Sequence, residues 1–214
     1  MKEELITRYS KSEELLNILT HGLGLLLSIA ALPILIVRAN QLETPFTLFS
    51  FLVFGISMII LYAASTFYHA SKDAKLRRKL NIFDHAAIYV LIAGTYTPFT
   101  LVTLNGTLGW VIFGLTWGFA LVGVILKLFF TGRFDKLSTL MYILMGWQIV
   151  FAIKPLIKSL SSEGLNLLFV GGIFYTVGAV LYSIKKIPYN HAIFHFFVLF
   201  GTLSHFLCVY WYVG

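Results

Sequence analysis

The sequence predicts an all-α protein: a bundle of seven transmembrane helices, N-terminus cytoplasmic and C-terminus extracytoplasmic. Three observations carry that reading. The composition is 58% apolar and only 12% charged. Seven separate apolar runs are long enough to cross a bilayer. Lys and Arg are distributed unequally between the connections. A soluble chain is about one quarter charged, because it must cover itself for water; here lipid takes that role.

The runs lie at Ile18–Val37, Phe46–Tyr68, Ile82–Val102, Leu108–Phe130, Leu137–Ile153, Leu165–Ile184 and Ala192–Val213. A helix needs roughly 20 residues to span ~30 Å of hydrocarbon. The runs are continuous rather than alternating, which excludes barrel strands. Lys154-Pro155 is expected to cut the fifth short, and Thr95, Thr97 and Pro98 to kink the third, with the threonines bonding freed carbonyls. Small residues in the fourth and sixth runs suit close helix packing. The chain reads as a single integral membrane domain over 1–214, with a short cytoplasmic segment at 1–16 and all spans between 18 and 213. The first run follows a charged stretch without a small-residue cleavage site, so it reads as a permanent span rather than a signal peptide.

Orientation follows from the cations. Lys2, Arg8, Lys11, Lys72, Lys75, Arg77, Arg78, Lys79, Lys127, Arg133, Lys136, Lys185 and Lys186 fall on one side, thirteen in all, against Arg38, Lys154 and Lys158 on the other. The positive-inside rule puts the thirteen in the cytoplasm. Dispersed among apolar runs, they suit anionic lipid headgroups rather than nucleic acid. This topology is the reverse of that of G-protein-coupled receptors, and the seventh span has no lysine for a retinal Schiff base. The single cysteine, Cys208, excludes an internal disulfide and a cysteine metal cage.

Ionisable residues in hydrocarbon are functional candidates by default. With this orientation, Ser65 and His69 end the second span at the cytoplasmic level. Asp84-His85 stand in the first turn of the third, His191 and His195 open the seventh, and Glu14, Asn17 and His21 open the first. His191 and His195, four apart, share a helical face one turn apart, the spacing by which a helical HExxH motif binds metal. His69 is the best-placed third ligand. Three neutral imidazoles suit Zn²⁺ and leave a fourth position for water, which zinc acidifies to a nucleophile near neutral pH. Asp84 could accept the water's proton, and Ser65 could position a substrate or donate to an oxyanion. Glu14, Asn17 and His21 are candidates for a supporting shell. His85 points about 100° away from Asp84 and reads as a network residue. His205 lies ~15 Å deeper than His195 and is left outside the site.

The segments ELLNILTHGLG at 14–24, STFYH at 65–69, FDHAAIYVLIAGTYTPF at 83–99 and NHAIFHFFVLFGTLSHF at 190–206 resemble the bacterial hemolysin III proteins. These belong to the progestin and adipoQ receptor family, in the wider superfamily that includes the alkaline ceramidases. The resemblance covers nearly the whole chain. It implies a zinc ion on His69, His191 and His195, with Asp84 holding the bound water, and a zinc-dependent hydrolase of a membrane lipid amide or ester in the cell membrane of a bacterium. Two other functions compete: a hemolysin-type pore-forming or membrane-perturbing cytolysin, and a lipid or membrane-state sensor with structural zinc.

Overall fold

A computed structural model describes residues 9–130 and 135–214; Lys2, Arg8 and Arg133, counted above for orientation, lie outside the described residues. Among the described residues eight α-helices run in order: α1 Lys11–Ala39, α2 Thr47–Ala70, α3 Ala74–Pro98, α4 Gly106–Phe130, α5 Asp135–Gly146, α6 Ile153–Ser159, α7 Ser162–Ser183 and α8 Asn190–Tyr212. Among the described residues there is no strand. Together they provide seven helices long and apolar enough to span a membrane, with α5 and α6 combined in the fifth. The protein is a multi-pass membrane protein.

Local signals set the helix ends. Ser10 caps α1, its hydroxyl accepting the Glu13 N–H, and Glu13 and Glu14 occupy the positive first turn. Asp73 caps α3 by accepting the Leu76 N–H at 2.7 Å. These caps start both helices earlier than hydropathy alone indicates. The segment expected at 1–16 is already helical from Lys11, and Asp84 stands ten residues into α3 rather than in its first turn. A charged first turn is invisible to a search for apolar runs, because backbone hydrogen bonding continues beyond the hydrocarbon.

The third and fifth spans are irregular, each with a definable cause. Pro98 cannot donate to the backbone, and after it the chain widens into a π-helical segment, Phe99–Leu104. Thr95, Thr97 and Thr100 donate to the carbonyls of Leu91, Ala93 and Tyr96 at 2.8–2.9 Å. The fifth span does not stop at Lys154-Pro155. It loosens earlier into a 3₁₀ segment, Gln148–Ala152, and resumes as α6. Pro155 then falls in the first turn of a helix, where no N–H is needed. The loosened backbone is repaired from α3: the Tyr96 hydroxyl donates to Gly146 O and accepts from the Ile149 N–H, both at 2.8 Å.

The most apolar stretch of α3 is 72% buried, against 28% for α1, α4 and α7, so α3 is the central helix. α1 packs on α2 and α8, α2 and α4 flank α3, and α7 pairs with α8. Large apolar side chains such as Leu26, Phe129 and Phe151 face outward, where lipid is as good a solvent as the core. Helix association must then come from close packing and interhelical hydrogen bonds. Gly123 lets α4 ride against the Tyr89 ring, and Gly171 does the same for α7 against His205; a Cβ at either would overlap the ring. Gly114 and Gly118, also in the fourth run, face open space. Tyr62 of α2 and Tyr175 of α7 both bond Thr202 Oγ1 of α8, at 2.9 and 2.8 Å.

Candidate metal centre

At the end of the bundle where α1, α3 and α8 begin and α2 ends, three imidazoles meet. His69, His191 and His195 are 3%, 5% and 1% exposed, and their ligating atoms all lie within 4.8 Å of one another. His191 Nε2 is 3.1 Å from both His69 Nε2 and His195 Nε2. Helical periodicity brings His191 and His195 together on α8; packing of α2 beside α1 and α8 supplies His69.

The outer nitrogens are engaged in a way that sets the tautomers. His69 Nδ1 lies 2.6 Å from Glu14 Oε2. A carboxylate only accepts, so Nδ1 carries the proton and, in the neutral ring that can ligate a metal, Nε2 has the lone pair. Thr20 Oγ1 donates to Leu16 O at 2.7 Å, so toward His195 Nδ1, 3.3 Å away, it accepts. His195 Nε2 thus also has a lone pair. Two lone pairs aimed at the Nε2 of a third imidazole cannot both be satisfied by one proton, whereas a cation satisfies all three nitrogens. The donor set is three imidazoles with hydrogen-bonded outer nitrogens on two of them, which fits a transition-metal ion, Zn²⁺ among them. The geometry establishes a buried cluster able to hold a metal ion.

Around it, Asn17 Nδ2 approaches His69 Nδ1 at 3.4 Å, and His21 stacks on His195 with ring centroids 3.5 Å apart and planes within 7°. Arg77 holds Glu14 in place. One end of its guanidinium pairs with Glu14 Oε1, and the other donates to the carbonyls of Tyr68, His69 and Ser71 at 3.2–3.3 Å. A cation there also suits the negative end of α2. The arginine counted for orientation is therefore part of the centre's support.

Asp84 is buried on α3, with His85, His69 and Ser65 as the neighbours that act on its carboxyl. Ser65 is fully buried, its hydroxyl beside the Asp84 carboxyl but outside ordinary hydrogen-bond geometry. His85 Nδ1 donates to Asn81 O at 2.8 Å and lies 4.0 Å from Asp84 Oδ2, so despite the angle between them on α3 the two side chains are neighbours, and His85 lines the same cavity as Asp84.

A cavity of about 140 Å³ opens beside the cluster. Asp84, His21, His191 and His195 line one end; Tyr96, Trp147 and His205 line the other, with Ile88, Ile92 and Val198 between. His205, set outside the site by its depth, is thus at the cavity's far end. Lys127, counted with the cations of the connections although it falls within the fourth apolar run, lies in α4, is 3% exposed and lines the same cavity. Sequence reasoning also passed over Thr20 and Tyr9. Thr20 shares the 14–17–21 face of α1, a periodicity that could have found it; Tyr9 carries no such signal.

Comparison with known proteins places the chain. The profile of the family described as haemolysin-III related matches residues 9–206. Hemolysin-3 of Bacillus cereus is 49% identical over 212 residues, 98% of this chain and 97% of that protein. The Hemolysin-3 homolog of Bacillus subtilis (strain 168) is 50% identical over 204 residues, 95% of this chain and 96% of that one. The human monocyte to macrophage differentiation factor is 26% identical over 167 residues, 75% of this chain and 69% of its own length. With its seven apolar helices and a profile match from Tyr9 to Phe206, the chain belongs to the haemolysin-III related family of membrane proteins.

Proposed function

We propose that this protein is a zinc-dependent hydrolase of a membrane lipid amide or ester, acting in bilayer homeostasis from the cytoplasmic side. The observation that carries the reading is the convergence of three buried Nε2 atoms next to a cavity whose wall includes Asp84. A wholly structural site would be closed on four sides by protein; this one has three imidazoles and opens to a cavity.

His69, His191 and His195 would hold the ion. Zinc supplies Lewis acidity, polarising a carbonyl and acidifying water near neutral pH. Asp84 acts as the general base, taking a proton from water at the cavity's polar end. Ser65, buried beside Asp84, is a candidate donor to the oxyanion that forms when the carbonyl is attacked. The apolar stretch between Ile88 and Val198 takes the lipid chain, and the far end excludes bulk water. Glu14 and Thr20 keep the ligand tautomers fixed through the reaction.

The thirteen-to-three partition of cations favours a cytoplasmic location for the cluster. The printed name of the Bacillus relatives raises cytolysis as an alternative, and a zinc-structured membrane sensor is another. Neither uses a carboxylate in the cavity wall. The test is turnover: purified protein loaded with zinc, given fluorescent ceramides and acyl lipids in mixed micelles, should release free fatty acid. Stoichiometric zinc without release from any such lipid would remove the enzymatic reading and leave the sensor.

A further inference from the structure

His191 differs from the other two histidines of the cluster. His69 and His195 each have a hydrogen-bonded outer nitrogen, whereas His191 Nδ1 is buried with no hydrogen-bond partner among the described residues. A metal-ligating imidazole ordinarily has its ring fixed by such a partner. Here aromatic faces take its place. The Tyr9 ring lies parallel to His191, centroids 4.7 Å apart and planes 15° from each other. Tyr182 packs at 5.3 Å with a 53° tilt. Tyr9 also reaches the His69 ring, at 5.7 Å.

Tyr9 is held in that position by its neighbours. It immediately precedes Ser10, the cap of α1. Ser10 Oγ and Ser12 Oγ are hydrogen bonded at 3.1 Å, and Ser12 Oγ bonds the Tyr189 hydroxyl at 2.9 Å. Tyr189 is the residue before α8, the helix that carries His191. The start of the first helix is therefore moored to the start of the last, and the mooring presses an aromatic ring onto the least-anchored ligand. Burial keeps the Tyr9 phenol above its ordinary range, so the ring over His191 is uncharged in any ordinary buffer.

We propose that Tyr9 is a positioning residue of the metal centre: its ring orients His191 and covers the cluster just before α1 begins. The inference rests on the reading of His69, His191 and His195 as metal ligands. It concerns the ring and not the hydroxyl, so the two ways of shortening Tyr9 should separate.

The experiment uses the full chain purified in detergent, with zinc affinity read by competition against a chromophoric chelator. Tyr9→Phe should bind as the wild type does. Tyr9→Ala should bind at least about tenfold more weakly, the lower end of what losing a ligand's outer partner does. The visible spectrum of the cobalt-substituted protein should change in Tyr9→Ala and be restored in Tyr9→Phe. Unchanged affinity and spectrum in Tyr9→Ala overturns the proposal, as does an equal loss in Tyr9→Phe. A fall in the Tm of metal-free Tyr9→Ala with a wild-type cobalt spectrum also overturns it, by making Tyr9 a packing residue. A wild-type protein that takes up neither metal overturns the metal reading itself, which none of the other outcomes does.

Discussion

Glu14→Ala probes the support of the cluster most directly. The substitution deletes the carboxylate that accepts from His69 Nδ1 at 2.6 Å and that pairs with Arg77. Without it, the proton on His69 is no longer held on Nδ1, and the ring loses its anchor; Asn17 at 3.4 Å is too distant to replace it. Loss of such a partner lowers metal affinity roughly 10–100-fold, or about 1.4–2.8 kcal/mol at 1.4 kcal/mol per decade. The fold should be nearly unaffected. The carboxylate is 20% exposed, and pairs in contact with solvent contribute about 0–1 kcal/mol. Arg77 also keeps its bonds to the α2 carbonyls. Zinc competition titration gives the affinity, and thermal unfolding of the metal-free protein gives the fold. Unchanged affinity would refute the assignment of Glu14 as His69's anchor. A loss as complete as that of His69→Ala would refute it differently, by making Glu14 a ligand.

Three further outcomes follow from the same geometry. His191→Ala should lose bound zinc, measured by metal analysis beside the wild type, because two imidazoles remain on different helices. Asp84→Asn should keep zinc while turnover of a lipid substrate falls at least about 100-fold, the scale of general-base catalysis; equal turnover would move the base elsewhere. Tyr96→Phe should lower thermal stability without altering zinc content. It strips Gly146 O and the Ile149 N–H of their partner, and each buried group left unsatisfied costs about 1–3 kcal/mol.

Much of the site was legible because two periodicities coincide in it. His191 and His195 are one helical turn apart, and Glu14, Asn17 and His21 recur on one face of α1. Positive-inside counting then put the ends of four helices at one level, which is how His69 and Asp84 could be joined to residues over a hundred positions away. What failed was local. Lys127 counts toward orientation with the cations of the connections, yet it falls within the fourth apolar run, and α4 turns it into the cavity. Lys154-Pro155 was read as a stop because proline usually breaks helices, yet the break lies nearer Trp147, where the Tyr96 hydroxyl makes it tolerable.

By itself, then, the sequence determined the seven spans, because hydrocarbon accepts only long apolar helices, and it determined which residue types could bind a metal. The tertiary structure alone decided that three imidazoles converge within 4.8 Å, that Glu14 and Thr20 set their tautomers, that Tyr9 covers His191, and that a cavity leads from Asp84 to His205. Those are distances between helices. They depend on how side chains interlock across α1, α2, α3 and α8, and no periodicity along one chain segment encodes them.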